Sequence, residues 1–251
     1  MIRVLLNGCN GRMGQMISET AEKTDDVVIA AGIDARTDQD NPYPVYNNAD
    51  DCVDEADVLI DFSVAAAADG IIKYAINRHI PLVLCTTGLS EEQETAALKA
   101  SKIIPVLRSA NMSVGVNVLM KALETVSPAL RRAGFDVEIV EAHHNQKLDS
   151  PSGTALALAN SVKEACKWNP EYVYDRSMRR EKRPQDEIGI SSVRGGTIVG
   201  DHDVIFAGPD EVVTISHRAY SRAIFAEGAI AAARFLAGKE NGFYTMADVI
   251  S

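Results

Sequence analysis

The sequence is poor in the features that mark metal-binding, secreted or membrane-spanning proteins. It has four cysteines in 251 residues, and none stands at the paired spacing of a zinc site or a redox pair. No apolar run approaches the roughly 20 residues needed to cross a bilayer, and the alanine-rich stretch at 64–68 is followed by Asp69. We interpret the cysteines as buried thiols and expect a soluble, cytoplasmic protein with no export signal.

Basic residues are also scarce relative to acidic ones. The 25 lysines and arginines face 35 aspartates and glutamates, which gives a formal net charge of -10. Such a surface repels nucleic acid and anionic membranes, so we expect neither as a partner. An anionic ligand would need a local cluster of positive side chains.

Short β-branched runs alternate with helical patterns over the first 110 residues. The patterns predict strands at 2–7, 27–33, 58–62, 82–85 and 104–107, with helices at 12–23, 65–78 and 90–100. Ser90, followed three residues later by Gln93, has the form of a capping box. This alternation is typical of a parallel sheet built from βαβ units.

The pattern changes at about residue 114. It predicts a helix at 114–132, a strand at 137–141, a polar loop at 143–150 and a helix at 152–167. Closely spaced strand-like runs follow at 188–194, 196–199, 203–207 and 212–217, before a helix at 222–237 and a short final helix. Strands so closely spaced favour an antiparallel or mixed sheet.

A glycine-rich turn separates the first predicted strand from the first helix. Residues 8–14 have the spacing G-x-x-G-x-x-G, with Asn10 where the commoner dinucleotide fingerprint has its middle glycine. Asp34 ends the second strand, where a carboxylate would accept hydrogen bonds from a ribose diol. Arg36 could pair with a 2′-phosphate, so the cofactor is NADH or NADPH. The alternative is an ordinary tight turn with a solvated carboxylate.

The positive cluster that an anionic ligand needs lies at residues 143–154. His143 and His144 can exchange protons near neutral pH, and Lys147 adds a full charge. The segment 152–154, Ser-Gly-Thr, begins a helix whose N–H groups can hold a carboxylate. A metal site is disfavoured, because the histidines are adjacent rather than one turn apart and Lys147 would oppose a cation. Two ordinary loop histidines remain the structural alternative.

Together these segments resemble the dihydrodipicolinate reductase family, also called 4-hydroxy-tetrahydrodipicolinate reductase, over nearly the whole chain. The motifs that carry the resemblance are Gly8 to Gly14 with Arg12-Met13-Gly14, Ser113-Val114-Gly115-Val116-Asn117, Glu141-Ala142-His143-His144 with Lys147, Pro151-Ser152-Gly153-Thr154-Ala155, and Val193-Arg194-Gly195-Gly196 through Gly200-Asp201-His202. The resemblance implies an α/β fold: a Rossmann dinucleotide-binding domain, residues 1–112 completed by the helices of 222–251, and a mixed-sheet α+β domain, residues 113–221, that binds substrate and assembles a homotetramer. It also implies NAD(P)H-dependent reduction of 4-hydroxy-tetrahydrodipicolinate, a small dicarboxylate, to tetrahydrodipicolinate in the diaminopimelate route to lysine.

By position, the resemblance implies catalytic roles for His143 and Lys147 in handling protons. The implied substrate residues are His144, Lys147, Ser152, Gly153, Thr154 and Arg222. The implied cofactor residues are Gly8, Cys9, Asn10, Gly11, Arg12, Met13, Asp34, Cys85, Thr86, Thr87, Ser109, Ala110, Asn111 and Met112.

The chain departs from the family pattern at three positions. Cys85 replaces a usual glycine, Met112 replaces a common aromatic residue, and Ala35 stands where many members have an arginine. These departures leave the choice between NADH and NADPH open. Two other functions also fit the residues: a different NAD(P)-dependent dehydrogenase on the same scaffold, or a dinucleotide sensor without catalysis.

Overall fold

The computed structural model describes residues 1–251 and divides them into two compact units. The first unit comprises Met1–Val114 and Arg222–Ser251, and the second comprises Gly115–Ser221. Each unit has its own sheet and its own hydrophobic core. The predicted α/β class is confirmed. None of the helices combines the length and the apolar character that a membrane span requires.

The first unit is built on a seven-stranded parallel sheet. Its strands are β1 (Ile2–Asn7), β2 (Val27–Ile33), β3 (Val45–Tyr46), β4 (Val58–Asp61), β5 (Leu82–Leu84), β6 (Pro105–Arg108) and, late in the chain, β12 (Gly242–Tyr244). The order across the sheet is β12-β6-β5-β4-β1-β2-β3, and every neighbouring pair is parallel. The strand order reverses between β1 and β4, which opens a crevice at the carboxyl ends of these strands.

Helices cover both faces of this sheet, as the buried apolar character of its strands requires. They are α1 (Arg12–Ala21), α2 (Ala68–Arg78), α3 (Glu91–Ala100), α6 (Ala223–Leu236) and α7 (Met246–Val249). One apolar core joins α1, α6 and α7 to the sheet, and a second joins α2 and α3 to its other face. Ser90 and Gln93 form the predicted capping box at the start of α3. The short strands β3 and β12 were not predicted.

The second unit contains a five-stranded mixed sheet and two helices. The strands are β7 (Asp136–His143), β8 (Glu171–Val173), β9 (Glu187–Arg194), β10 (Gly200–Ala207) and β11 (Val212–Ala219), and the helices are α4 (Val114–Arg132) and α5 (Gly153–Ala165). In the order β11-β10-β7-β9-β8, strand β10 runs antiparallel to both neighbours, while β9 is parallel to β7 and β8. The prediction of a mixed sheet is confirmed.

Two predictions for this unit were wrong in detail. Residues 196–199 form a turn and not a strand, with Gly196 at a φ of +48°. Strand β7 continues past Glu141 to His143, so His143 belongs to the strand and not to the loop that follows it. Because side chains alternate along a strand, Glu141 and His143 lie on the same face of the sheet.

Candidate active site

The loop after β1 has a backbone shape that depends on glycine. Gly8 has a φ of +81°, and a Cβ there would lie 2.8 Å from the carbonyl oxygen of Phe62. A Cβ on Gly14 would lie 2.2 Å from the carbonyl oxygen of Gly8, so α1 can pack against the loop only without that side chain. The first bond within the helix joins Gln15 N–H to the carbonyl of Gly11. The N–H groups of residues 12–14 therefore make no bond within the helix and point out of its N-terminal end, as anion binding requires.

Asp34 lies beside this loop and is held by main-chain donors. Its Oδ2 accepts the N–H of Asn10, and its Oδ1 accepts the N–H of Arg36, both at 3.0 Å. Its side chain is 11% exposed. Since each carboxylate oxygen can accept about two hydrogen bonds, capacity remains for the two hydroxyls of a ribose.

Two cavities lie along the carboxyl ends of the strands and share residues of the glycine loop. The first, of about 520 Å³, is lined by Gly8, Asp34 and Arg36 among others. The second, of about 500 Å³, is lined by Arg12, Thr86 and Arg222 among others. Gly11, Phe62 and Ser63 line both. A pair of cavities joined at a helix N-terminus fits a dinucleotide, with one nucleoside on each side of the pyrophosphate.

Most of the predicted cofactor residues line one of these cavities. They are Gly8, Gly11, Arg12, Met13, Asp34, Cys85, Thr86, Thr87, Ala110 and Met112. Cys9 instead packs in the core, and burial raises the pKa of its thiol to about 11. Ser109 and Asn111 bond to each other, which shapes the turn after β6. Asn10, within the glycine loop, is 3% exposed and lines neither of these two cavities.

A buried carboxylate that sequence reasoning missed lies at the carboxyl end of β4. Asp61 is completely buried, and its Oδ1 accepts hydrogen bonds from Asn7 and from the hydroxyl of Ser63. The hydroxyl of Thr86 donates to its Oδ2 at 2.6 Å. Asp61 therefore ties the ends of β1, β4 and β5 together behind the crevice.

In the second unit, His143 makes a short hydrogen bond to a buried carboxylate. His143 Nδ1 lies 2.6 Å from Oε2 of Glu141, which is fully buried. Arg194 donates to both oxygens of Glu141, at 2.7 and 2.8 Å, and the N–H of Ser152 donates to Oε1 at 3.0 Å. Four donors thus compensate the buried negative charge.

This arrangement fixes the protonation of the pair. Burial alone would raise the pKa of Glu141, but hydrogen bonds from Arg194, Ser192, His143 and Ser152 lower it to about 2. Burial lowers the pKa of His143, although the contact with Glu141 opposes that shift. At neutral pH the imidazole is therefore neutral, with its hydrogen on Nδ1 toward the carboxylate and a lone pair on Nε2.

Nε2 of His143 has Gly200 and His202 as neighbours. A Cβ on Gly200 would stand 3.1 Å from Nε2, so a side chain at that position would crowd the atom. The ring of His202 lies edge-on to His143, with the ring centroids 5.2 Å apart. His143 as a whole is 9% exposed. Nε2 is thus the atom at which a proton can enter or leave the imidazole.

Ser152 is the N-cap residue of α5, and its hydroxyl has two partners. Its hydroxyl accepts the N–H of Ala155, the N-cap bond of the helix, and lies 3.1 Å from Nε2 of His202. His202 is 3% exposed, and burial together with the neighbouring histidines lowers its pKa to about 4. The predicted substrate residues Gly153 and Thr154 occupy the first turn of α5, where the helix dipole favours a carboxylate.

Lys147 lies in the loop between β7 and α5 and forms an ion pair there. Its Nζ is 2.8 Å from Oδ1 of Asp149, and the pair lowers the pKa of Asp149. The side chain of Lys147 is 20% exposed and that of Asp149 is 59% exposed. The backbone N–H of Lys147 donates to the carbonyl of His144, so a turn places these two residues together. A carboxylate is already the partner of this lysine.

Sequence reasoning found His143 and Lys147 but missed the partners that position His143. Arg194 is 53 positions from Glu141 in the chain. Arg194 lies beside His143 in the register of β7 and β9, and His202 lies opposite Glu141 in the register of β7 and β10. The signal that could have found Glu141 is its spacing of two from His143 on one strand.

Two protein-family models together match nearly the whole chain. Residues 2–112 match the model described as "Dihydrodipicolinate reductase, N-terminus", and residues 115–250 match "Dihydrodipicolinate reductase, C-terminus". The chain belongs to the dihydrodipicolinate reductase family. Residues 2–112 are accordingly the dinucleotide-binding domain of an NAD(P)H-dependent reductase.

Individual relatives agree with this family over their full length. The chain is 49% identical over 250 residues to the 4-hydroxy-tetrahydrodipicolinate reductase of Caldanaerobacter subterraneus subsp. tengcongensis, which covers 100% of this chain and 98% of the relative. It is 47% identical over 247 residues to the enzyme of the same name from Staphylococcus epidermidis, covering 97% and 98% of the two chains.

Solved structures agree on the fold. A dipicolinate-bound dihydrodipicolinate reductase from Paenisporosarcina sp. TG-14 superposes with a TM-score of 0.83 at 24% identity, covering 100% of both chains. A myo-inositol dehydrogenase from Corynebacterium glutamicum has a TM-score of 0.62 at 13% identity, covering 100% of this chain and 92% of that one. The same architecture therefore occurs in reductases and dehydrogenases of different substrates.

Proposed function

We propose that this protein reduces 4-hydroxy-tetrahydrodipicolinate to tetrahydrodipicolinate with NADH or NADPH, in the diaminopimelate route to lysine. Membership of the family and the names of its close relatives support the reaction. The structural observation that carries the proposal is the 2.6 Å bond between Nδ1 of His143 and the buried carboxylate of Glu141, which orients the imidazole and leaves Nε2 for proton exchange.

The chemistry requires protons as well as hydride. Comparing the substrate with the product shows that the 4-hydroxyl leaves as water together with a hydrogen of the neighbouring ring carbon, and that the unsaturated ring so formed gains a hydride and a proton. The nicotinamide supplies the hydride when it is bound. We assign proton exchange to Nε2 of His143 and to the ammonium of Lys147. A neutral imidazole can accept a proton at Nε2, and an ammonium group can donate one.

The substrate is a dianion, and the protein as a whole is acidic. We propose that Lys147, His144 and the first turn of α5 at Gly153 and Thr154 bind its carboxylates. Ser152 contributes by fixing the start of that helix, since its hydroxyl already has two partners. Arg222, which lines the second cavity of the first unit, is the further cationic side chain proposed for substrate.

The cofactor would occupy the two cavities of the first unit. The N-terminus of α1 would hold the pyrophosphate, Asp34 the adenosine ribose, and Thr86, Thr87, Ala110 and Met112 the nicotinamide side. Gly8 and Gly14 support this assignment, because a side chain at either position would clash with backbone atoms around the loop and change its shape. Asp34 favours NADH, and Arg36 at its side admits NADPH.

We further propose a homotetramer and a cytoplasmic location. The face of the five-stranded sheet opposite α4 and α5 exposes Val193 (49%) and Val212 (62%), which supports association through that face. A biosynthetic reductase also needs access to the cytoplasmic pool of reduced nicotinamide. If the protein is a homotetramer, light scattering should give a molecular mass in solution equal to that of four chains.

The reaction is tested by a coupled assay on the purified protein. Enzymatically generated 4-hydroxy-tetrahydrodipicolinate should drive loss of nicotinamide absorbance with NADH, with NADPH, or with both. Simple 2-oxo acids serve as the matched substrates of other dehydrogenases and should give no turnover. Oxidation of the cofactor by the oxo acids alone would contradict the proposed substrate, and no oxidation with any substrate would contradict catalysis.

A further inference from the structure

Asn10 occupies the position where the common dinucleotide fingerprint has its middle glycine. Its backbone N–H donates to Asp34 at 3.0 Å, and its backbone carbonyl accepts Nη2 of Arg36. Its side-chain Nδ2 donates to the carbonyl of Arg36 at 2.5 Å, and its Oδ1 accepts Nδ2 of Asn41 at 3.0 Å. Every polar group of Asn10 therefore binds the segment 34–41 that follows β2.

The side chain of Asn10 supplies contacts that a glycine could not make. Asn10 is 3% exposed. Both the nitrogen and the oxygen of its amide have hydrogen-bond partners in the protein, so its burial leaves no side-chain polar atom unsatisfied. With the Arg36 N–H to Asp34 bond, these contacts close a ring of hydrogen bonds through Asn10, Asp34 and Arg36. We call these three residues the ribose clamp. The clamp fixes the segment 34–41 against the glycine loop.

The position of Arg36 decides how the site responds to a 2′-phosphate. A phosphate close to Asp34 meets a negative carboxylate, and only a nearby cation offsets that repulsion. Nε of Arg36 lies 3.8 Å from Oδ1 of Asp34, and the side chain, 59% exposed, lines the first cavity. One guanidinium nitrogen holds the carbonyl of Asn10, which leaves further N–H donors for a phosphate.

We propose that Asn10 is a positioning residue that holds Arg36 over the adenosine ribose site and so sets the preference between NADPH and NADH. This inference rests on the proposed function, because it assumes that the first cavity binds the adenosine half of the cofactor. NADH needs only the Asp34 carboxylate at this position. NADPH needs Arg36 in a fixed position as well, so loosening the segment 34–41 weakens NADPH binding more.

The test measures dissociation constants for NADH and NADPH by titration calorimetry on the full chain without substrate. Asn10→Ala removes the side-chain bonds to the Arg36 carbonyl and to Asn41 but keeps the backbone carbonyl that accepts Nη2 of Arg36. With the segment 34–41 loosened, NADPH binding should weaken by about tenfold and NADH binding by less than about threefold, as expected for losing the charge-assisted contact of Arg36 with the 2′-phosphate. Arg36→Ala should shift the ratio in the same direction. The double variant should lose less than the sum of the two, because both act through one contact.

A matched control uses a hydrogen bond to the same segment outside the clamp. Gln15 donates from α1 to Gln39 at 2.7 Å in an exposed pair, and Gln15→Ala should leave the ratio unchanged. If Asn10→Ala does not fold, Asn41→Ala removes the partner of Oδ1 and should shift the ratio in the same direction. Equal losses for both cofactors, or additive effects in the double variant, would overturn the inference. A wild-type chain that binds neither cofactor would refute the proposed function itself.

Discussion

A fully buried carboxylate at Glu141 is tolerated because its partners are complete. Two bonds from Arg194, one from His143 and one from the N–H of Ser152 satisfy the carboxylate oxygens. Removing one partner of a buried ion pair commonly costs about 3–5 kcal/mol, because the remaining charge is left uncompensated. Glu141 therefore links the stability of the second unit to the orientation of His143.

If Lys147 binds the substrate as proposed, Asp149 competes with the substrate for it. The ion pair at 2.8 Å occupies the ammonium with a carboxylate of the protein, although the exposure of Asp149 keeps the pair weak. We expect Asp149→Asn to lower KM for the dicarboxylate by about threefold with little change in kcat, since an exposed pair contributes about 0.2–1 kcal/mol. Lys147→Met should raise KM and lower kcat together. Steady-state kinetics at saturating cofactor checks both, and a higher KM for Asp149→Asn would refute the competition.

The sequence was informative about residue chemistry and weak on residue partners. His143 and Lys147 stand out by type, and the glycine loop by spacing. Arg194 binds Glu141, and His202 lies opposite it, only because strands pair, so the motif that contains them did not reveal these positions. Arg36 was expected to face a phosphate, but its bond to the backbone of Asn10 could not be read from the sequence.

At the scale of elements, the start of α5 is the part of the second unit that we propose to bind substrate. The N–H of Ser152 binds the Glu141 carboxylate, while its hydroxyl caps the helix and contacts the His202 ring. The N-cap bond from the N–H of Ala155 to the hydroxyl of Ser152 fixes the start of this helix at Gly153.

Ser152→Ala should therefore affect both stability and substrate binding. Loss of a serine N-cap costs about 1 kcal/mol and leaves Nε2 of His202 without its partner. We expect a lower melting temperature and a KM for substrate raised several-fold. Ser90→Ala is the matched control, since it removes the cap of α3 in the other unit. Should both variants lower the melting temperature and neither change KM, the helix start has no role in binding.

Elements with strong local signals were predicted well, and weakly marked ones were not. Strands β1 and β2 and helix α4 have the predicted bounds, because each has an apolar pattern of the period that its type of element requires. Strands β3 and β12 contain two and three residues and exist only through their neighbours in the sheet. Residues 196–199 have strand-like composition, but Gly195 and Gly196 make the turn between β9 and β10.

At the scale of the whole molecule, the buried histidines predict sensitivity to mild acid. The pKa of His202 is about 4 in the folded protein and about 6.5 in an unfolded chain. The unfolded state therefore binds more protons, and stability is lost as pH falls from about 6.5 to 4. His143 and His217 shift in the same direction, and Glu141, with a pKa of about 2, extends the loss below pH 4.3 or so.

Urea midpoints should accordingly fall between about pH 7 and about pH 4.5, with His202 alone contributing up to about 3 kcal/mol. His202→Gln should show a smaller fall, because a glutamine does not titrate in this range. A wild-type midpoint that stays constant over this range would mean that these histidines titrate normally in the folded protein.

The central claim is that the His143 imidazole, oriented by Glu141, exchanges a proton during reduction. The most direct measurement is the single-turnover rate of hydride transfer for His143→Ala with cofactor and 4-hydroxy-tetrahydrodipicolinate both saturating. We predict a rate at least about 10²-fold below wild type, with unchanged cofactor affinity and partial recovery on adding free imidazole. A variant that transfers hydride at the wild-type rate would contradict the account.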